Sequence, residues 1–211
     1  MLATRNRGKL DELRSLFATV GVRVSDLGDE GVIENARAEE AVESFDTFEA
    51  NAIAKARYYS AMLPGRSVIA DDSGLVVDVL GGEPGVRSKR WSGRTDLHGR
   101  ALDLGNNALL VSRLAGIAER SARFVCCAAW CDGVRCYVGS GEVRGRIVDD
   151  ARGAHGFGYD PHFFVEELSH TLAETTMSEK GRVSHRGRAL VALLDVLQLR
   201  GVLPADDKPR V

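Results

Sequence analysis

The chain has 211 residues, 44% of them hydrophobic and 27% charged, with a formal net charge of −2. That length fits one domain with a sizeable core, and the charge balance offers no global attraction for nucleic acid or an anionic membrane. No apolar run approaches a membrane span and Met1-Leu2-Ala3-Thr4 lacks a signal-peptide pattern, so a cytoplasmic protein is the expectation.

Leu2-Ala3-Thr4 is short for a strand, but Arg5-Asn6-Arg7-Gly8-Lys9 is a basic turn opening a helix whose apolar residues are Leu10, Leu13, Phe17 and Val20. Free N–H groups, the helix dipole and Lys9 favour phosphate there. The spacing is not that of a P-loop, and such turns are also common as solvated surface. Gly21 ends the helix and Val22-Arg23-Val24 reads as a short strand. From Asp26 to Glu49 acids dominate; most read as solvated charges, but Glu43, just ahead of the next helix, is placed to reach a cation.

That helix starts at Asp46 or Thr47 and runs to about Met62, where Pro64-Gly65 stops it. Phe48, Asn51, Ala52, Lys55 and Tyr59 share one face. Lys55 there either snorkels past its apolar neighbours or aims its ammonium at an anion. Val68 to Ala70 reads as a buried strand ending in a tight turn, with Asp71 and Asp72 at its mouth and a second strand over Leu75–Leu80. Adjacent carboxylates repel unless a cation sits between them or one is protonated, and Mg²⁺ is the usual remedy. A polar turn with local hydrogen bonds is the other reading.

Gly81-Gly82-Glu83-Pro84-Gly85 is a loop, and Val86 to Arg100 is basic and irregular but too short and isolated for a nucleic-acid patch. Helical periodicity resumes near Asn106. Strands over Ala122–Trp130 and Val134–Val138 are joined by the hairpin signal Asp132-Gly133. Cys126, Cys127, Cys131 and Cys136 lack paired CxxC spacing, so they are expected as small apolar strand residues without metal or disulfide. Gly139 to Gly145 does not meet the dinucleotide fingerprint. Gly153 to Pro161 is a glycine-rich loop carrying His155, Phe157, Tyr159 and Asp160. It offers either an aromatic ring to stack on a base or a surface turn with an apolar plug. Lys180, Arg182, His185, Arg186 and Arg188 form a basic cluster. Ser184 caps a last helix with Ala189, Leu190, Leu193, Leu194 and Leu197 on one face. Cations in that first turn oppose the dipole and call for an anion or carboxylate opposite. Residues 201–211 read as a polar, disordered tail.

Six stretches, in order, resemble one family: Thr4-x-Asn6-x-x-Lys9, Thr47-Phe48-x-x-Asn51-Ala52-x-x-Lys55-Ala56, Ala70-Asp71-Asp72-Ser73-Gly74-Leu75, Gly81-Gly82-x-Pro84-Gly85, Gly156-Phe157-Gly158-Tyr159-Asp160-Pro161 and Ser184-His185-Arg186-Gly187. The resemblance is to the inosine/xanthosine triphosphate pyrophosphatases (Ham1-like) and spans Leu2 to about Leu197. It implies an α/β fold in residues 1–200, with an elongated central mixed sheet flanked by helices and two lobes around a nucleotide cleft. It also implies a homodimer and Mg²⁺-dependent cleavage of ITP, dITP and XTP to the monophosphate and pyrophosphate.

By position, Thr4, Arg5, Asn6, Arg7, Gly8 and Lys9 would hold phosphates with Lys55, and Glu43, Asp72 and Asp71 would ligate the metal. Asp72 would accept the proton of the attacking water, and Ser73 would touch substrate. Phe157, Gly158, Tyr159, Asp160, Lys180, His185 and Arg186 would embrace base and phosphates. The departures are a short lead before Asn6, Arg5 for a frequent glycine and Arg87 for a frequent aromatic. A kinase using the same anion site would need Walker or protein-kinase signatures, which are absent. An idle nucleotide-binding protein would have no need of the Asp pair.

Overall fold

The computed structural model describes residues 1–19, 21–176, 179–180 and 183–203. Strands β1 (Val68–Val77), β2 (Ser121–Cys131), β3 (Cys136–Ile147), β4 (Phe163–Val165) and β5 (His170–Thr171) form one sheet in chain order. Each is antiparallel to the next. Among the described residues, parallel pairing is confined to Leu2, which bridges Ile69 and Asp26. The helices are α1 (Arg7–Thr19), α2 (Ala36–Val42), α3 (Phe48–Met62), α4 (Gly99–Arg113) and α5 (His185–Leu199). The α/β class expected from the sequence holds.

Strand alternation decides which helix covers which face. Ile69, Cys126, Ala128 and Trp130 pack against Leu13 and Phe17 of α1 and Ala189, Leu190 and Leu193 of α5. Their neighbours Val68, Ala70, Cys127 and Ala129 point the other way, onto Ala52, Ala56 and Tyr59 of α3. Further along, Leu75, Val77, Phe124 and Phe163 close over Leu110 of α4 and Leu114 just past its end. Each fully buried Leu or Phe contributes roughly 1.5–3 kcal/mol. Side-chain caps fix where the helices begin: Asn6 accepts from Lys9 N at 3.1 Å, Thr47 from Ala50 N and Ser184 from Gly187 N.

Three local expectations, the turn at Asp71-Asp72, the strand over Val22–Val24 and the absence of a disulfide, give way to tertiary contacts. There is no turn at Asp71-Asp72: β1 runs straight through, pairing Asp71 with Ala128 and Asp72 with Cys127. Gly74 makes this possible, because a Cβ there would collide with Gly85 O and Ser88 Oγ of the segment packed on the strand. Val22 to Val24 forms no strand, and Val22 is exposed. Gly139 to Gly145 is strand interior, and bare Cα atoms at Gly139 and Gly141 let the α5 backbone lie directly on β3. Cys131 and Cys136 form a disulfide with Cα atoms 4.3 Å apart, while Cys126 and Cys127 stay free and buried. The hairpin places Cys131 and Cys136 in direct register, so no CxxC spacing is needed. Val20, Arg182 and residues 204–211, most of the expected tail, lie outside the described residues. Val202 and Leu203 pack on the α1–α5 cluster.

Candidate active site

The open edge of β1 gathers the charged groups. Ile69 is bonded there to Met1 and Ala3, and Leu75 N donates to Ser88 Oγ at 2.9 Å. Between these lies the stretch Asp71–Ser73, against which α1, α3 and α5 bring their polar residues.

On the α1/α5 side, Asp71 is 1% exposed and its Oδ2 lies 2.9 Å from Lys9 Nζ and 3.2 Å from Arg186 Nε. Burial alone would raise its pKa, but Lys9, Arg186 and Lys55 hold the carboxyl far below the usual range. Arg186, also 1% exposed, donates through Nη2 to Ser73 Oγ at 3.0 Å and through Nη1 to Glu12. The carboxylates that the first turn of α5 calls for are therefore Glu12 and Asp71. Lys180 joins the same network, 2.9 Å from Glu12 and 2.6 Å from Asp160.

On the α3 side, Asp72 Oδ2 accepts from Asn51 Nδ2 at 2.9 Å, and Oδ1 accepts from Ser73 N. Lys55 pairs with Glu43. Burial raises the Asp72 pKa, Lys9, Lys55 and Asn51 pull it back, and the like charge of Glu43 lifts it further. Lys9 and Lys55 thus act on both Asp71 and Asp72, although the two carboxylates leave the strand on opposite faces.

Phe157 lies across this cluster. A Cβ on Gly8 would come within 2.5 Å of its ring, so only glycine fits beneath it. Lys180 Nζ and Arg186 Cζ stand 5.0 and 5.6 Å from the ring centroid. Asp160 accepts from Phe157 N at 2.9 Å and fixes the loop. His185 is buried and stacked on Phe124 at 4.7 Å, and burial with Arg186 beside it holds its pKa well below the ordinary value. Its ring is neutral near pH 7, with Nδ1 unpartnered among the described residues.

Not every expected residue reaches this cluster. Arg5 turns to Glu39 and to Val32 O, and Arg7 is exposed. Thr4 Oγ1 and Asn6 Oδ1 accept from the turn's own backbone. Tyr159 belongs to the core: its hydroxyl donates to Ser88 O at 2.8 Å. Gly158 is held by α4, through Asp103 and Asn107. Conversely, Glu12 and Asn51 are central here and were not among the expected site residues.

The cluster contains five carboxylates (Glu12, Glu43, Asp71, Asp72, Asp160) and four cations (Lys9, Lys55, Lys180, Arg186). The cations are largely committed to these carboxylates, and a divalent cation would add positive charge for a polyphosphate. Among the described residues no three His, Cys, Asp or Glu side chains form a metal cage. The residues do fit a hard cation shared with a ligand, because Glu43 and Asp72 repel one another; Asp71, expected as a third ligand, leaves the strand on the other face, held by Lys9 and Arg186. Beside Glu43 a cavity of about 390 Å³ opens, lined also by Phe45, Arg87 and Arg90.

Comparison with known proteins bears on the family and the fold. The Ham1 family model matches residues 1–196. The dITP/XTP pyrophosphatase of Geobacter sulfurreducens is 44% identical over 205 residues, covering 96% of this chain and 98% of its own. A crystal structure of the nucleoside-triphosphatase/dITP/XTP pyrophosphatase from Mycobacterium abscessus is 41% identical with a TM-score of 0.69, covering 93% of this chain and 97% of its own. A Ham1 protein from Coxiella burnetii is 33% identical with a TM-score of 0.78, covering 94% and 97%.

Proposed function

This chain belongs to the Ham1 family, and from that premise and the site geometry we infer how it works as a nucleoside-triphosphate pyrophosphatase. It hydrolyses deaminated purine nucleoside triphosphates (ITP, dITP and XTP) to the monophosphate and pyrophosphate, clearing them from the nucleotide pool. The observation that carries this reading is the convergence of Asp72, Lys9 and Lys55 at the open edge of β1, beneath a loop presenting an aromatic ring.

In this reading Lys9 and Lys55 neutralise the triphosphate, and the first turn of α1 turns its dipole toward it. Asp72, half-buried and held by Asn51, orients a water against the α-phosphorus and takes its proton. Glu43 and Asp72 would hold Mg²⁺, which when bound shares the charge of the phosphate oxygens and of the leaving pyrophosphate. Phe157 stacks on the base, and Lys180, His185 and Arg186 read the polar edge of a 6-oxo purine. Adenine brings an amino donor to that edge and leaves buried groups unpaired, a strong basis for rejection.

Residues 1–200 act as one domain, and the enzyme works as a cytoplasmic homodimer. Among the described residues no helix is long and apolar enough to cross a membrane. Assaying ITP, XTP, GTP and ATP with and without Mg²⁺ tests the reading. Higher kcat/KM for ITP and XTP, with pyrophosphate as product and dependence on the metal, supports it. Equal rates across the panel overturn the selectivity, and stepwise release of phosphate overturns the reaction.

A further inference from the structure

The loop that carries Phe157 is gripped from outside the charged cluster. Asp103 and Asn107 lie one turn apart on α4 and so face the same way. Asp103 Oδ2 accepts from Gly158 N at 3.0 Å, and Asn107 Nδ2 donates to Gly158 O at 2.9 Å. One helix face thus holds the N–H and the C=O of a single residue, and that residue sits at φ 63°, a left-handed conformation that glycine tolerates. Asn107 is 5% exposed, and its Oδ1 is buried with no partner among the described residues. A flipped amide would set oxygen against the Gly158 carbonyl, so the side chain tolerates one orphaned atom to make this bond. Tyr159 donates to Ser88 O at 2.8 Å on the next residue, and Asp160 accepts from Phe157 N at 2.9 Å on the other side. The backbone that aims the Phe157 ring across Gly8 is therefore fixed on both flanks.

We propose that Asp103 and Asn107 are positioning residues for base recognition: through Gly158 they set the plane of the Phe157 ring without touching phosphate, metal or Asp72. The inference rests on the base-stacking role given to Phe157 above. It separates the two halves of the ligand. Losing the α4 grip loosens the surface that meets the purine and leaves Lys9, Lys55 and their pairings in place.

The test compares inhibition by inosine monophosphate, which carries the base, with inhibition by inorganic pyrophosphate, which does not. Asn107→Asp places a carboxylate against the Gly158 carbonyl. It is expected to raise KM for ITP and the inhibition constant for inosine monophosphate about tenfold, with kcat and pyrophosphate inhibition within about twofold. Asp103→Ala removes the other contact and should act in the same direction. Asp103→Asn keeps an acceptor for Gly158 N and should stay within about threefold of the parent. Should Asn107→Asp fail to fold, as thermal melting would show, Asp103→Ala against Asp103→Asn decides by the same two inhibitors. Equal weakening of both inhibitors, or no change in either, overturns the proposal. Failure of the parent enzyme to turn over ITP would instead overturn the function itself, so the two failures are distinguishable.

Discussion

Asp71 and Asp72 are consecutive in β1 yet serve opposite faces of the sheet: Asp71 is locked between Lys9 and Arg186, and Asp72 is held by Asn51 of α3. The strand's alternation separates two carboxylates that look equivalent in sequence. Only Asp72 keeps the raised pKa that suits a proton acceptor. Asp72→Asn is therefore expected to lower kcat by about a hundredfold or more, while ITP still binds. Isothermal titration with ITP beside steady-state rates checks it. Undiminished turnover would remove Asp72 from the base role.

The pH profile follows from the same carboxyl. Without metal, burial raises its pKa above the ordinary aspartate value of about 4, and bound Mg²⁺ would draw it down, so activity falls as pH drops through the acid limb of kcat/KM and that limb should move to lower pH as Mg²⁺ rises. The Asn51 hydrogen bond favours the ionised form. Asn51→Ala should shift the limb upward by up to about one pH unit. A limb that stays put in this variant would assign the titration to another group.

Ser184 was legible as a cap ahead of an apolar stripe, and helical geometry put Lys55 on the face of Phe48, Asn51, Ala52 and Tyr59 while leaving open whether it meets an anion. The straight run of β1 through Asp71-Asp72-Ser73-Gly74 was not legible. Asp, Ser and Gly are poor strand formers, and only pairing with β2 overrides that preference. Glu12 was hidden for a different reason. In the helix run Lys9-Leu10-Asp11-Glu12-Leu13, Asp11 and Glu12 read alike as solvated acids, and Asp11 is indeed exposed. The faint signal is that Glu12 lies three residues from Lys9, on the face that meets α5. The Cys131–Cys136 pairing was missed: a two-residue turn at Asp132-Gly133 would set Cys131 opposite Val134, whereas the loop spans residues 132–135 and sets it opposite Cys136.

That pairing makes its own prediction. In denaturant without reductant the oxidised protein should show two titratable thiols, those of Cys126 and Cys127, and four after reduction. Closing so short a loop stabilises by about 2 kcal/mol in the chain-entropy account, so reduction should lower Tm by several degrees. Four thiols in protein isolated and held under oxidising conditions would show that the hairpin keeps its cysteines reduced.

Metal dependence tests the division of labour between Glu43 and Asp72. Excess chelator should abolish turnover of ITP. Glu43→Gln keeps the shape but lowers the charge, and it should raise the Mg²⁺ concentration for half-maximal rate about tenfold, with much of kcat recovered at high Mg²⁺. A magnesium requirement identical to the parent's would take Glu43 out of the binding set.

Glu12 joins the base-reading side of the site to its phosphate side, since it holds Arg186 and Lys180 at once and Arg186 in turn holds Asp71. All of these groups are buried, so removing one charge leaves others unpaired in a poor solvent for ions. Glu12→Gln is expected to cost about 3–5 kcal/mol and to lower Tm by roughly 10 °C. Burial pushes the Glu12 pKa up, but Arg186 and Lys180 outweigh it and hold the carboxyl below its ordinary value. Its contribution is therefore full above the unfolded-state pKa of about 4 and is lost as pH falls below that toward the folded value. Urea unfolding at pH 7 and near pH 3 should show a large gap between parent and variant at the higher pH and a narrower one at the lower. A gap that does not change with pH would mean that Glu12 acts by packing and not by charge.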